Sequence, residues 1–478
     1  MADMNTAEFR KYGKQLIDWL ADYLEQPDRY PVLSRVKPGE IKAQLPTAPP
    51  SSPESFDAIL EDFNAIILPG ITHWNQPGFM AYFGITGSMP GILGELLTAG
   101  LNVNGMLWRT SPSATELEEV VLDWLRQMVG LPPSFEGVIM DTASSSSMIA
   151  VAAAREALNL RVREAGMAGR SDLPRLTMYT SEQSHSSIEK AGLVLGIGQA
   201  NVRKIETDAE YRMKPDRLAA AIETDRRSGC VPFFVCATVG TTSTASIDPV
   251  PAIADICARE GVWLHVDGAY GGNAAVVPEM SWVLDGVARA DSFVMNPHKW
   301  LFTPIDFSAF YTRHVDTLKR AFSILPEYLR TAEGDVNAVK NYMDYGVQLG
   351  RRFRALKFWF IVRTYGVDGL IDRLRAHLAL AKQFEGWVRA APDWAVAAPV
   401  HFSTVNFYAC PARIPAAQWN ALNERILNAV NAGGEVFLSH TKLNDRYVIH
   451  LAIGNIRTEE KHIARAWELL QAALESEK

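Results

Sequence analysis

The chain has 478 residues, of which 48% are hydrophobic and 21% charged, and its formal net charge is -7 with no long run of either sign. This length exceeds what one core supports and predicts two or three domains, with the composition of a soluble globular protein. An acidic chain without basic runs is a poor partner for nucleic acid, and no apolar run is long enough to span a bilayer. We therefore expect no nucleic-acid partner and no membrane partner.

The four cysteines have neither metal-ligand nor disulfide spacing; they are Cys230, Cys236, Cys257 and Cys410. The N-terminus lacks the basic and apolar stretches of a secretory signal. These features predict a cytoplasmic protein without a metal site.

The N-terminal part of the chain predicts helices. Residues Thr6 to Leu24 carry apolar side chains at three-and-four spacing, with an aromatic stripe that includes Phe9, Tyr12, Trp19 and Tyr23. Such a helix must cover its stripe on the body of the protein or on a second subunit. A proline-rich linker (46–53), a second helix (about 56–67) and a ring-rich loop (70–77) follow.

From about residue 90 to residue 312, helical patterns alternate with short apolar runs. This alternation predicts βαβ units and a mostly parallel sheet, whose ligands bind beyond the carboxyl ends of the strands. The runs are Val138–Met140, Pro232–Thr238, Val262–Val266, Ser292–Met295 and Ser308–Thr312.

The first run is followed by a polar segment, 141–147, that contains four serines before an alanine-rich helix. Small hydroxyl residues at a helix start can cap the helix, and the free N–H groups there can also bind an anion. Four serines exceed what one cap requires, which favours a phosphate site. The turn at Gly240–Thr242, after the second run, is a weaker signal of the same kind.

Asp267 follows a mostly apolar run and precedes a glycine-rich segment, so we expect a largely buried carboxylate that requires a cation or good donors. A helix N-cap is the alternative. Ser186 and Glu189 predict a capping box, which would place His185 just outside a helix N-terminus.

Lys299 lies between His298 and Trp300, immediately after a predicted buried strand that Asn296-Pro297 ends. Burial there would lower the pKa of the lysine, and a neutral amine is what attacks an aldehyde. A lysine that extends its ammonium to water is the alternative. A phosphate site, a buried aspartate and a desolvated lysine at one sheet edge are together the three fixtures of a pyridoxal 5'-phosphate site.

The chain resembles the group II pyridoxal phosphate-dependent amino-acid decarboxylases, and most of all the aromatic-L-amino-acid decarboxylases. The resemblance covers nearly the whole chain, and Asn296–Trp300 is its most specific motif. The other matching segments are Met4–Arg10, Pro69–Trp74, Ser111-Pro112, Thr115–Glu118, Ser184–Ser187, His265–Asp267 and Leu349–Arg354.

The resemblance implies a role for each matching residue. Lys299 would hold the cofactor as a Schiff base, Asp267 would pair with its pyridine nitrogen, and His298 would support the lysine. His185 and Ala269 would pack on the two faces of the ring, and Thr242 would lie near it. The phosphate would be bound by Ala143, Ser144 and Asn296, with Thr142 close by.

The resemblance also places Tyr328 in a mobile catalytic loop, where it would protonate the substrate carbon after carbon dioxide leaves. The segment 323–346 is mostly polar and has no clear strand, which is typical of lids and of disordered segments. We expect a lid, because the reaction requires a site closed to water.

The substrate side differs from relatives that act on hydroxylated aromatics. Those proteins often have Tyr-Phe-Pro-Thr and Ile-Gly-Phe-Ser-Trp where this chain has Tyr82–Ile85 and Asn104–Trp108. We expect a roomy pocket that accepts an aromatic ring, in which Gly84 opens space and Met106 adapts to the ring. Its predicted residues are Trp74, Tyr82, Phe83, Gly84, Asn104, Met106 and Gly350.

The predicted fold is that of the fold type I (aspartate aminotransferase-like) pyridoxal phosphate enzymes. It comprises an N-terminal helical dimerisation segment (1–88), a large cofactor-binding domain with a mostly parallel sheet and helices on both faces (89–363), and a small C-terminal α/β domain (364–478). The resemblance implies a homodimer with the active site at the subunit interface.

The predicted activity is decarboxylation of an aromatic L-amino acid, such as tryptophan, tyrosine, phenylalanine or a hydroxylated relative, to the amine. Three alternatives stay open: an oxygen-dependent aldehyde synthase of the same family, another reaction such as transamination, and a non-catalytic scaffold. Aldehyde synthesis is associated with phenylalanine in place of the loop tyrosine or asparagine in place of the stacking histidine. Tyr328 and His185 therefore favour decarboxylation.

Overall fold

The computed structural model describes residues 3–324, 329–335 and 338–477. Its α-helices are α1 (Thr6–Glu25), α2 (Glu40–Gln44), α3 (Phe56–Asp62), α4 (Met89–Leu101), α5 (Pro112–Met128), α6 (Ala143–Ala157), α7 (Val162–Ala165), α8 (Ser186–Val194), α9 (Pro215–Arg227), α10 (Val250–Glu260), α11 (Pro297–Trp300), α12 (Val315–Phe322), α13 (Ala332–Asp335), α14 (Ala355–Ala390), α15 (Trp419–Gly433) and α16 (Glu460–Ser476).

The strands are β1 (Glu136–Met140), β2 (Arg175–Ser181), β3 (Val202–Ile205), β4 (Cys230–Thr238), β5 (Trp263–Asp267), β6 (Ser292–Met295), β7 (Ser308–Thr312), β8 (Trp394–Val396), β9 (Thr404–Ala409), β10 (Ser439–Leu443) and β11 (Arg446–Ala452). Four of the five predicted apolar runs are strands or parts of strands, and the fifth, Val262–Val266, begins one residue before β5.

The large sheet has seven strands in the order β1-β7-β6-β5-β4-β2-β3. Strand β7 is antiparallel to both of its neighbours, β1 and β6, and the other pairs are parallel. The predicted α/β class with a mostly parallel sheet is therefore confirmed. A second, four-stranded sheet has the order β10-β11-β9-β8, with β10 antiparallel to β11.

The chain divides into two compact units. The terminal unit contains Met1–Gly84, Gly386–Ala395 and Phe407–Lys478, and the central unit contains Ile85–Glu385 and Val396–Asn406. The N-terminal and C-terminal segments thus belong to one unit, whereas the three-part division at 88 and 363 stays a prediction. No helix among the described residues is long and apolar enough to cross a membrane.

The core of the central unit lies between the sheet and the helices that cover it. Side chains of β1, β2 and β4 pack there against α6 and α8, as Val138, Met178, Phe234, Ile149 and Ile188 illustrate. Each of these side chains is at most 2% exposed. Burial on both faces explains why the strands carry continuous apolar runs.

Helix α1 covers part of its aromatic stripe within the terminal unit. The Tyr12 ring lies 4.5 Å from Phe56, and the Trp19 ring lies 5.5 Å from Phe63. Phe9 stays 68% exposed. The predicted second helix changes character along its length, because α3 ends at Asp62 and residues 63–67 form a π-helical turn.

Among its described residues, the segment 323–346 contains α13 and a 3₁₀ turn at Tyr342–Tyr345 and, as expected, no strand. Helix α14 consists of two helical parts that meet at Gly366, whose backbone is non-helical (φ 66°, ψ 172°), so the second part begins at Val367.

Candidate active site

The site is built at one edge of the large sheet, where β1, β4, β5 and β6 end. Because these strands run in the same direction, the residues after their carboxyl ends come to the same edge. The residues that follow are Asp141-Thr142, Val239-Gly240, Gly268-Ala269 and Asn296-Pro297.

The predicted phosphate site lies at the start of α6. Thr142 is the N-cap residue, but its side chain accepts no capping hydrogen bond, so hydroxyl capping by Thr142 is not the function of this segment. Ala143 and Ser144 are in the first turn, where helix N–H groups lack partners within the helix. The Asp141 carboxylate accepts the Thr142 N–H at 2.7 Å and fixes the entry into the helix.

Asp267 is the last residue of β5, and it is 4% exposed. Its Oδ1 accepts the N–H of Ala269 at 3.0 Å, and it stands between Thr238 and Val294 in the register of the sheet. The alternative of a helix N-cap is wrong, because the next helical turn begins at Gly271 with Tyr270 as its N-cap.

His185 is itself the N-cap residue of α8, which corrects the predicted capping box. Its ring Nδ1 accepts the N–H of Ser187 at 3.2 Å and lies 2.9 Å from the Ser187 hydroxyl. Glu189 instead forms an ion pair with Lys204 at 2.7 Å. The imidazole thus accepts the capping hydrogen bond that we expected Ser186 to accept, and this bond fixes the orientation of the His185 ring.

Lys299 lies in the short helix α11 and is half-buried. Burial lowers the pKa of its amine, and the charge of Asp267 opposes this shift. Partial removal from water also lowers the pKa of His185, with Asp267 opposing and Lys299 reinforcing the shift. The three predicted groups are therefore close enough to influence one another electrostatically.

Trp300 anchors the turn that carries Lys299. Its indole is fully buried, stacks on Tyr270 with ring centroids 5.0 Å apart, and donates its Nε1–H to His377 Nδ1 at 3.0 Å. A side chain fixed on two sides leaves little freedom to the backbone of the neighbouring lysine.

His298 and Asn296 provide a test of whether the site fits a phosphate group. The Phe307 N–H donates to His298 Nδ1 at 2.9 Å, and burial lowers the pKa of His298 to about 3, so the neutral ring carries its hydrogen on Nε2. His298 Nε2 lies 3.2 Å from the amide of Asn296. In the structure the amide nitrogen faces His298 Nε2, and the amide oxygen, Oδ1, is buried without a hydrogen-bond partner among the described residues. Two donors cannot face each other, so we assign the amide the reversed orientation, which puts its N–H group at the unpartnered position.

Asn296 therefore presents an unused N–H donor. Together with the N–H groups at the start of α6, this donor suits an anion, so the residues fit the phosphate of pyridoxal phosphate. Ala269, which is 7% exposed, accepts the Asn296 N–H through its backbone oxygen at 3.1 Å and thus links the Asp267 segment to this donor.

Thr242 is exposed, and its neighbours form a buried hydroxyl network that the sequence did not reveal. Thr241 and Thr244 lie 2.8 Å apart, and Thr244 and Ser246 lie 2.9 Å apart. Asp248, also missed, accepts the Thr238 N–H at 2.8 Å, and burial raises its pKa to about 6. An aspartate between an isoleucine and a proline was the available signal.

The predicted substrate residues of the central unit come together. Asn104 Nδ2 contacts the Met106 sulfur at 3.5 Å. A Cβ added at Gly350 would lie 3.8 Å from Asn104 Nδ2, the nearest atom among the described residues. Met106 packs against a small cluster that contains Leu107, Leu329 and Met343. Tyr328 lies outside the described residues.

The other predicted pocket residues belong to the terminal unit. Trp74 stacks on Phe79 at 4.1 Å and lies 6.0 Å from the Tyr82 ring, and Phe83 lies 6.3 Å from the His450 ring. Gly84 does not open space as expected. A Cβ there would lie 2.9 Å from the Gly454 Cα, so this glycine permits a close approach of two backbone segments.

Comparisons with known proteins identify the family of the chain. The family described as "Pyridoxal-dependent decarboxylase conserved domain" matches residues 38–410. The chain belongs to this family. It is a pyridoxal phosphate-dependent carboxy-lyase whose relatives act on aromatic amino acids.

Three relatives illustrate the range of activities. Phenylacetaldehyde synthase of Arabidopsis thaliana is 41% identical and covers 98% of this chain and 96% of its own. Tyrosine decarboxylase 2 of the same plant is 42% identical, with 98% and 88% covered. The crystal structure of Oryza sativa TDC with PLP and tryptamine has a TM-score of 0.96 at 38% identity, and covers 100% of this chain and 99% of its own.

Proposed function

We propose that the protein converts an aromatic L-amino acid to the corresponding arylalkylamine and carbon dioxide. The observation that carries the proposal is Lys299, a half-buried lysine of lowered pKa that shares the carboxyl edge of the sheet with Asp267 and His185. A neutral amine in this position is ready to bond with an aldehyde. When bound, pyridoxal phosphate supplies an electron sink for the breaking of the carbon–carboxylate bond.

In this proposal, separate groups of residues bind the reactive carbon, the pyridine nitrogen and the phosphate of the cofactor. Lys299 would hold the cofactor covalently, and the Asp267 carboxylate would pair with its pyridine nitrogen. The start of α6 at Ala143 and Ser144, with Thr142 close by, binds the phosphate together with the Asn296 amide. His298 keeps that amide oriented and so supports the segment that carries the lysine.

The remaining site residues act on the ring and on the proton. His185 and Ala269 would pack against the ring of the cofactor, and Thr242 would lie near it. Tyr328 delivers a proton to the substrate Cα after carbon dioxide leaves. Selectivity for this reaction would depend on how these residues orient the substrate carboxylate.

The aromatic substrate class is supported by the relatives, one of which is a tyrosine decarboxylase and another of which was solved with tryptamine. Asn104, Met106 and Gly350 are proposed as the wall that meets the substrate side chain. The assignment of Trp74, Tyr82, Phe83 and Gly84 to the same pocket stays a prediction.

Aldehyde synthesis is the second candidate, since a phenylacetaldehyde synthase is 41% identical over nearly the whole chain. In that reaction oxygen is consumed, and aldehyde, ammonia and hydrogen peroxide are released. This chain has Tyr328 and His185 at the two positions that the resemblance associates with the choice between outcomes. We therefore favour the amine as the product.

We also propose a homodimer and a cytoplasmic location. Helix α4 exposes Met89, Leu93, Leu96, Leu97 and Leu101, each of them at least 46% accessible. Leu93, Leu96 and Leu97 lie on one face of the helix, and a stable fold rarely leaves such a face in water.

One experiment distinguishes the two reactions. The cofactor-loaded protein is incubated with tryptophan, tyrosine, phenylalanine and a hydroxylated relative, with glutamate and histidine as non-aromatic controls and Lys299→Ala as the blank. We expect amine and carbon dioxide in equal amounts, without peroxide, from at least one aromatic substrate, and aldehyde with peroxide from Tyr328→Phe. Peroxide equal to carbon dioxide in the unmodified protein would favour the aldehyde synthase, and turnover of glutamate alone would overturn the aromatic class.

A further inference from the structure

A buried ion pair joins Glu118 and Arg351, two residues of the segments Thr115–Glu118 and Leu349–Arg354 to which the proposed chemistry gives no role. Arg351 Nη2 donates to Glu118 Oε1 at 2.5 Å, and the two side chains are only 4% and 6% exposed. An ion pair this deeply buried is a poor source of stability, because desolvation of both charges offsets their attraction. We therefore infer that this ion pair has a role other than stabilising the fold.

The pair is hydrogen-bonded to β1, the strand that leads into the phosphate site. Glu118 Oε1 also accepts the Ile139 N–H at 2.8 Å, and Arg351 Nη2 donates to the Ile139 oxygen at 3.1 Å. Ile139 precedes Thr142, the N-cap residue of α6, by three positions. The two side chains thus bond to both the N–H and the oxygen of Ile139, near the carboxyl end of β1.

The backbone of Arg351 is hydrogen-bonded to the proposed substrate wall at Asn104 and Gly105. Its N–H donates to Asn104 Oδ1 at 2.9 Å, and its oxygen accepts the Gly105 N–H at 2.9 Å. The Met106 oxygen in turn accepts the Met343 N–H at 3.1 Å. The Arg351 guanidinium lies 4.9 Å from the centre of the Tyr342 ring, next to Met343.

We propose that Glu118 and Arg351 are positioning residues that hold the wall Asn104–Met106 at a fixed place relative to the phosphate-binding helix start, and thereby set which substrate side chain is accepted. The inference rests on the proposed function for its substrate. One residue, Arg351, bonds to the wall through its backbone and to the strand end through its side chain. A shift of the guanidinium is therefore passed directly to the wall.

Arginine and glutamate are required in the proposal because of their geometry. The guanidinium donates from Nη2 to Glu118 and to the Ile139 oxygen, and from Nη1 to the Tyr342 oxygen at 3.5 Å, a spread over two nitrogens that a single ammonium nitrogen cannot reproduce. The neighbouring Arg352 is the natural comparison. Its side chain is 54% exposed and pairs with Glu95, which belongs neither to the wall nor to β1.

The test uses the cofactor-loaded enzyme with Arg351→Lys and Glu118→Gln, and with Arg352→Lys as the matched control. The double variant Glu118→Leu with Arg351→Met removes both charges and keeps the fold testable if a single change leaves an unpaired buried charge. Hydrogen exchange is read in peptides that cover residues 103–108 and 340–346, and kcat/KM is read for two aromatic substrates.

We expect the substituted pair to speed exchange in both segments and to change the ratio of the two kcat/KM values by about tenfold, with cofactor affinity close to that of the parent protein. The Arg352→Lys control keeps the parent values. The proposal would be overturned if the variants lost thermal stability or cofactor while the exchange pattern and the ratio of the two kcat/KM values stayed unchanged. That result would indicate that the ion pair has only a structural role. If the parent protein turns over no aromatic substrate, the proposed function is wrong. The positioning role is tested separately, because unchanged hydrogen exchange in both segments of the variants would refute it without any activity measurement.

Discussion

The side chains of Asn296 and His298 lie 3.2 Å apart. His298 Nδ1 accepts the Phe307 N–H at 2.9 Å, so Nε2 of the neutral ring is the donor, and the amide atom that faces it has to be the oxygen. With the amide assigned this way, its N–H group takes the buried position that Oδ1 occupies in the structure, where it has no hydrogen-bond partner among the described residues. The pair links a fully buried histidine to an anion-binding group one residue before the helix that carries Lys299.

Replacement of Asn296 distinguishes a donor from an acceptor at this position. Asn296→Ala removes the donor and should weaken cofactor binding by about tenfold, as expected for one lost hydrogen bond to a charged group. Asn296→Asp still accepts from His298 but brings a negative charge to the phosphate, so the loss should be about a hundredfold or more. Cofactor dissociation constants from fluorescence titration provide the measurement. Asn64→Asp, on an exposed helix position, is the control, and an aspartate variant that binds as well as the parent would refute the assignment.

His298 should make the folded protein sensitive to mild acid. Burial, reinforced by the charge of Lys299, lowers its pKa from 6.5 to about 3. Between these two pH values the unfolded chain binds the proton and the folded protein does not, so stability is complete above pH 6.5 and falls as the pH decreases. The slope attributable to this residue approaches about 1.4 kcal/mol per pH unit.

The measurement is urea unfolding at saturating cofactor from pH 7.5 down to pH 4.5, for the parent protein and for His298→Gln. Asp248, whose pKa is raised to about 6 and which acts with the opposite sign, is present in both proteins and cancels in the difference. The glutamine variant should lose less stability per pH unit. Parallel curves for the two proteins would show that His298 is not held neutral.

Helix α4 should be part of a subunit interface. Leu93 and Leu97, 46% and 47% exposed, lie one turn apart on the same face. Replacement of both by glutamate places two charges in the proposed contact and should convert the dimer to a monomer in sedimentation analysis. Val194→Glu, at a position 72% exposed, should leave the assembly unchanged. A double variant that sediments like the parent would rule out this face.

The strands that frame the site were predictable because burial on both faces leaves a continuous apolar run. Strands β6 and β7 have the predicted bounds, and α1 extends one residue beyond its prediction. Strands β2 and β3 were missed, since Arg175–Ser181 mixes apolar and hydroxyl residues and Val202–Ile205 has charged residues at its centre. Pairing with neighbouring strands, which local sequence does not encode, makes these segments β-structure.

The residues of the site were predictable by type and by place, and their contacts were not. The strand-end rule brings Asp267, Asn296 and Thr142 to one edge, but a local preference for serine predicted the wrong N-cap for α8, where His185 accepts the bond. Glu118 and Arg351 are 233 residues apart, and only the fold brings them together. Gly84 shows the same limit, because its close neighbour Gly454 lies at the other end of the chain.

The most direct test of the account is to find which lysine holds the cofactor. The chain offers an internal comparison, because burial also lowers the pKa of Lys357, which is 1% exposed. Lys357, however, is paired with Glu95 at 2.5 Å and lies on α14. The loaded protein is reduced with borohydride, digested and analysed by mass spectrometry. We predict that the cofactor is attached to the peptide containing Lys299 and to no other, and attachment to Lys357, or to no lysine, would contradict the account.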